Sequence, residues 1–160
     1  MKILAISKRE FEDIMIKKGL DDDNIETKTD VCSISITDPD EGDDVYEHHF
    51  KCDHQNVLNL KFGDVSKDIT TEYGLCNAMS KEQAKTLYEF IKKNRHIERW
   101  VVHCTMGISR SAAVSMFIND FLHGDKEQFK RDNPHISPNP HVYRLLYNEY
   151  ENDEINDPIS

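Results

Sequence analysis

A cysteine and an arginine with five residues between them, Cys104 and Arg110, sit inside the run Val101-Val102-His103-Cys104-Thr105-Met106-Gly107-Ile108-Ser109-Arg110-Ser111. Trp100, Val101 and Val102 have the apolar, β-branched character of a buried strand end. From Ser111 onward Ala112, Val114, Phe117, Ile118 and Phe121 form a broad apolar helical stripe. Strand, tight loop and helix leave backbone N–H groups pointing at an anion. A cysteine at the floor of that nest has its thiolate stabilised, and an arginine at the rim can grip two oxygens of a tetrahedral oxyanion. Lysine would supply the charge without the planar fork. Gly107 permits a turn or close approach that a Cβ would obstruct, while Ser109 either ties the loop backbone together or caps the helix. These residue types point to phosphoryl transfer with a sulfur nucleophile.

The flanking sequence has to build a scaffold for that loop. Lys2 to Ile6 reads as a strand, and Ser7 with Glu10 as a capping box opening a helix over Lys8 to Lys18, stopped by Gly19. A polar loop over Asp21 to Thr29 precedes a β-rich run, Val31 to Ile36, which ends at Asp38-Pro39 and an acidic turn through Gly42. Val57 to Phe62 is a further strand feeding Gly63-Asp64, and Val65 to Met79 lacks periodicity, so it reads as a loop with one short helical turn. Ser80 and Gln83 cap a helix to Lys93 whose buried face is Ala84, Leu87, Tyr88 and Ile91. Arg99 to His103 is the strand before the loop, and the helix after it runs from Ser111 to His123, with Gly124 as its stop. A short helix over Asp125 to Arg131, a connection stiffened by Pro134, Pro138 and Pro140, and a helix from His141 to Tyr150 complete the pattern. The expectation is one domain over residues 1–150 and an acidic tail over 151–160. Strands alternating with helices predict a three-layer α/β domain, with a central, mostly parallel sheet flanked by helices. The loop lies outside the carboxyl end of a central strand.

The run His103, Cys104, five residues, Arg110 and Ser111 resembles the signature of the cysteine-dependent protein tyrosine phosphatases, and Gly107, Ser109 and Ser111 bring it nearest the compact dual-specificity branch. Downstream, Ile136-Ser137-Pro138-Asn139 with Val142, Leu145 and Leu146 is similar to the segment that closes those small domains. The likeness spans Val57 to Tyr150 and is one of outline before that. It implies that Cys104 is the nucleophile, that Arg110 binds the phosphoryl oxygens, and that residues 105–110 form the phosphate-binding loop. Ser111 would assist the departing thiolate, His103 would lie beneath the loop, and Asn139 would anchor the loop or cap the last helix. A general acid is expected from an aspartate after the preceding strand. Asp64, 40 residues before Cys104, fits that place, and Asp68 is the rival. Such chemistry needs no metal or other cofactor.

The chain has 160 residues, with thirty acidic against twenty basic side chains and a formal charge of −10. That field disfavours nucleic acid and anionic membrane, and the acidic runs read as solvated loops. Four cysteines without a pairing pattern, a start too polar for a signal peptide and no membrane-length apolar run suit a cytoplasmic protein, most simply a monomer. Glu47 to His54 gathers three histidines, a cysteine and acids, but not in zinc-ligand spacing, so it reads as a polar surface segment. The expected partner is a phosphorylated protein or small phosphomonoester. Thr105, Met106 and Ile108 add no cation, against phosphoinositides and RNA 5′-triphosphates. A phosphate-binding module with little turnover, an arsenate reductase or a sulfurtransferase are the alternatives.

Overall fold

A computed structural model describes residues 1–39, 47–72 and 74–156. The acidic turn through Gly42 lies outside them. Among the described residues the main sheet has strand order β1-β6-β2-β3 and is parallel throughout. Its strands are β1 (Lys2–Ser7), β2 (Cys32–Thr37), β3 (Val57–Lys61) and β6 (Arg99–Cys104). A separate antiparallel pair, β4 (Ile69–Thr71) and β5 (Gly74–Cys76), forms a small hairpin. The helices are α1 (Lys8–Lys17), α2 (Lys81–Lys93), α3 (Arg110–Phe121), α4 (Lys126–Asp132) and α5 (Pro140–Asn156).

Alternation along the strands assigns their faces. On β6, Trp100, Val102 and Cys104 join the larger core with α2, α3 and α5, while Val101 joins the smaller core and His103 packs on the Phe11 ring. On β1, Ile3 faces the larger core, and Leu4 and Ile6 face the smaller one built around Phe11 and Met15 of α1. The result is three layers: α1, sheet, then the other helices. Helix α3 is buried nearly all round, from Arg110 through Asn119, because it lies between the sheet and α5. Its stripe is therefore broader than its apolar residues suggest.

The helix starts follow the expected chemistry fully at Ser80, whereas at Ser7 the side-chain cap forms without the reciprocal bond from Glu10 to the Ser7 backbone. Ser7 accepts from the Glu10 N–H, and Ser80 with Gln83 forms a full capping box. Gly19 takes φ +66°, the left-handed value that ends α1. At the end of α3 the left-handed residue is His123, φ +58°, rather than Gly124. At Gly124 a Cβ would come within 2.0 Å of Asn119 Oδ1, so that side chain would have to shift.

Two local expectations change. The region after Phe62 holds the β4–β5 hairpin, not a helical turn, and Asp68 ties its base by accepting from the Ala78 N–H at 2.9 Å. The last helix does not stop at Tyr150 but continues to Asn156. Asp153 holds those turns against α2, accepting from Tyr88 Oη at 2.7 Å and pairing with Lys92 Nζ at 3.0 Å. No described helix is long and apolar enough to cross a membrane.

Candidate active site

The loop between β6 and α3 brings its polar groups onto one sulfur. Cys104 ends β6 and is 2% exposed. Its Sγ lies 3.2 Å from Ser111 Oγ and accepts from the Gly107 N–H at 3.3 Å. Burial alone would raise its pKa, but the Ser111 hydroxyl and backbone, the Arg110 charge and the Gly107 N–H together hold it below the ordinary thiol value. Cys32, also buried but without such partners, is pushed up to about 12 by burial. The contrast isolates what the loop does: it stabilises a thiolate.

Gly107 makes that loop possible on two counts. Its φ is +74°, and a Cβ would meet the Ile6 carbonyl carbon at 2.3 Å and the Ser7 nitrogen at 2.4 Å. The loop thus rests directly on the end of β1. It is also clasped from both sides by backbone hydrogen bonds. The Lys8 N–H donates to Thr105 O, the Ser137 N–H to Ile108 O at 2.8 Å, and the Asn139 N–H to Ser109 O at 3.1 Å. Met106 and Ile108 stay outside, 68% and 39% exposed, as an apolar rim.

Arg110 is 5% exposed and strongly oriented. Its Nη1 donates to Asp38 Oδ1 at 2.8 Å and to Phe62 O at 2.7 Å, and its Nη2 donates to Thr105 Oγ1 at 3.2 Å. Thr105 Oγ1 in turn donates to Asp38 Oδ2 at 2.9 Å. Arg110 Nε is buried with no partner among the described residues. A buried guanidinium N–H left unmatched is costly, and an oxyanion beside the thiolate would satisfy it.

In the sequence Asp38 opens a solvated acidic run; the structure places its carboxylate at the centre of this network. The signal for it is position. Asp38 follows β2, a central strand, and parallel sheets carry ligands beyond the carboxyl ends of such strands.

Asp64 reaches the loop and Asp68 does not. Asp64 Oδ1 accepts from Ser109 Oγ at 2.8 Å and from Asn139 Nδ2 at 2.9 Å. Both bonds use the same oxygen, Oδ1. Ser109 accordingly neither ties the loop backbone nor caps α3 with its side chain; it orients Asp64. The Asn139 side chain caps α5, accepting from the His141 and Val142 N–H groups, and donates to Asp64, while its backbone N–H reaches the loop at Ser109 O.

His103 lies under the loop, its ring 4.4 Å from that of Phe11 and its Nε2 2.6 Å from Ser35 Oγ. Burial pushes it down to about 3, so it is neutral at ordinary pH. The polar segment before β3 is not all surface: His48 is 9% exposed. The histidines there go to separate places, His48 to Ser35 and Thr37, His49 to Leu20 O, and His54 to Asp22. Among the described residues no cluster suited to a metal ion forms.

No family model matches the sequence, and no curated protein matches it. Among solved structures, human DUSP28 is similar with a TM-score of 0.53 at 15% identity, covering 96% of this chain and 94% of that one. The fold is a three-layer α/β, protein tyrosine phosphatase-like one. PTPMT1 in complex with PI(5)P (TM-score 0.45, 18% identity, 83% of each chain) and the active form of Tk-PTP (0.43, 15%, 81% of this chain and 86% of that one) are also similar.

Proposed function

We propose that the chain is a phosphomonoester hydrolase working through a cysteinyl-phosphate, with a phosphorylated protein or small aryl phosphate as substrate. The observation that carries the reading is the pairing at the loop: a thiol whose pKa is depressed by Ser111, Arg110 and Gly107, and a buried Arg110 Nε with no partner among the described residues. An anion bound there meets a nucleophile below it and an arginine edge beside it.

In the first step the Cys104 thiolate attacks phosphorus in line, the S–P bond forms and the ester P–O bond breaks. Asp64 gives its proton to the departing oxygen. In the second step water attacks the phosphocysteine, Asp64 takes the water's proton, and the S–P bond breaks to return the thiolate. Ser111 Oγ, 3.2 Å from the sulfur, donates to it as charge returns. Arg110 and the loop N–H groups follow the equatorial oxygens throughout. The apolar rim of Met106 and Ile108 favours an aryl or peptide-borne monoester over a polyanionic headgroup. A formal charge of −10 favours protein or small-molecule partners over nucleic acid, and a reducing cytoplasm keeps the thiolate competent.

The test is hydrolysis of p-nitrophenyl phosphate and phenyl phosphate by reduced protein in chelator. Asp64→Asn is expected to cut phenyl phosphate turnover by about 100-fold while sparing the activated ester far more. Vanadate binding without turnover would make the chain a phosphate-binding module instead. If the leaving-group effect follows Asp68→Asn, the roles of the two aspartates are exchanged.

A further inference from the structure

Strand β2 alternates Cys32, Ile34 and Ile36, which enter the larger core, with Ser33, Ser35 and Thr37, which face the other way. All six are buried. A row of hydroxyls on the inner face of a central parallel strand is unusual, since such strands are normally apolar on both faces. His48 fills the space beside it. Its Nδ1 lies 2.7 Å from Ser35 Oγ and its Nε2 lies 3.3 Å from Thr37 Oγ1. The same Ser35 Oγ lies 2.6 Å from His103 Nε2, and the register pairs Ser35 directly with His103. Thr37, His48, Ser35 and His103 thus form one buried chain that ends at the residue before Cys104.

The arrangement of protons along that chain is constrained. Ser35 has one hydroxyl proton and stands between two imidazole nitrogens, so it donates to one ring and accepts from the other. His103 Nδ1 is buried with no hydrogen-bond partner among the described residues, and the adjacent Cys104 backbone favours a proton on that ring. With the His103 proton on Nδ1, Ser35 donates to His103 Nε2. His48 then donates from Nδ1 to Ser35, and Thr37 donates to His48 Nε2. In that order each of the three hydrogen bonds of the chain has one donor and one acceptor, and burial keeps both rings neutral. The charged groups acting on the pair are Lys8 from α1, Lys61 from β3, Arg110 from α3, and Glu47 and Asp53 on the segment that carries His48.

We infer that Ser35 and His48 are positioning residues for the nucleophile, holding His103 in the tautomer that presents its Nδ1 proton toward the Cys104 backbone. Fixing that peptide fixes the loop N–H groups that follow it, and the thiolate depends on their aim. The inference rests on Cys104 being the nucleophile.

The experiment is the pH dependence of Cys104 alkylation by iodoacetamide, followed on the Cys104 peptide by mass so that Cys32, Cys52 and Cys76 do not interfere. Ser35→Ala is expected to raise the midpoint by about one pH unit, which is about tenfold slower alkylation well below it. His48→Phe should do the same. Ser35→Thr keeps the hydroxyl and His48→Asn keeps a donor near Nδ1, so both should restore part of the shift. Nitrogen NMR of histidine-labelled wild type should show His103 protonated on Nδ1, and that result stands even if Ser35→Ala fails to fold. A folded Ser35→Ala with the wild-type midpoint, or His103 protonated on Nε2, overturns the inference while leaving the hydrolase reading in place. An ordinary thiol midpoint in the wild type overturns both.

Discussion

Asp38→Ala removes the carboxylate that holds Arg110, and its consequences can be scaled from the contacts. Two hydrogen bonds are lost, one from Arg110 Nη1 at 2.8 Å and one from Thr105 Oγ1 at 2.9 Å. A bond to a charged group contributes about 1.5–3 kcal/mol. The Asp38 side chain is 26% exposed, so water replaces part of what is lost. Arg110 also keeps the Phe62 carbonyl. A net destabilisation of about 2 kcal/mol follows, a fall of about 1 M in the urea midpoint at an m-value of about 2 kcal/mol/M. For catalysis, two effects oppose each other. Removing a negative charge beside the site should strengthen anion binding, whereas freeing Nη1 from one of its two tethers loosens the bidentate grip. In so buried a guanidinium the loss of orientation should dominate, lowering kcat/KM for an aryl phosphate by about 10–100-fold, or about 1.4–2.7 kcal/mol. Asp38→Asn, which can still accept one bond, should fall between. Vanadate affinity measured by calorimetry should decline in parallel. Wild-type kcat/KM, or tighter vanadate binding in Asp38→Ala, would show that charge outweighs positioning and would refute the reasoning.

Gly107→Ala should cost about 2–4 kcal/mol, since it forces a side chain at φ +74° into backbone atoms of Ile6 and Ser7. A melting temperature about 4–16 °C lower, with turnover lost, is expected in a thermal scan, and an unchanged melt would mean the loop does not rest on β1. Acid should act through the two buried histidines, held at about 4 for His48 and about 3 for His103 against an ordinary 6.5. Both are neutral when folded and take up protons when unfolded, so their contribution is whole above pH 6.5 and is lost as pH falls toward 4. The slope should approach about 2.7 kcal/mol per pH unit for two protons. Urea midpoints flat between pH 7.5 and pH 5 would contradict that.

The sequence announced most clearly what is local. The loop from Cys104 to Arg110, the side-chain cap at Ser7, the capping box at Ser80, and the strands with apolar character all form from neighbours a few residues apart. What it hid depends on distant partners. Asp38 meets Arg110 across 72 positions and Ser35 meets His103 across 68, so each looks solvated until the sheet is assembled. The alternation Cys32-Ser33-Ile34-Ser35-Ile36-Thr37 did carry a clue, because a strand buried on both faces has no room for unpartnered hydroxyls. The β4–β5 hairpin was illegible for the opposite reason. It is short and largely exposed, so no hydrophobic period marks it. The helical extension to Asn156 came from Asp153 reaching Tyr88 and Lys92, contacts that a run of acids does not reveal.

The most direct test of a sulfur nucleophile is to catch phosphate on it. Reduced protein mixed with p-nitrophenyl phosphate and quenched within one turnover should carry one added phosphoryl group on the peptide containing Cys104. Ser111→Ala should slow departure of the thiolate and so raise the trapped fraction. Cys104→Ser should show no turnover and no label while still binding vanadate. Steady hydrolysis by Cys104→Ser above a few per cent of wild type, or turnover by wild type with the label on another residue, would contradict the account.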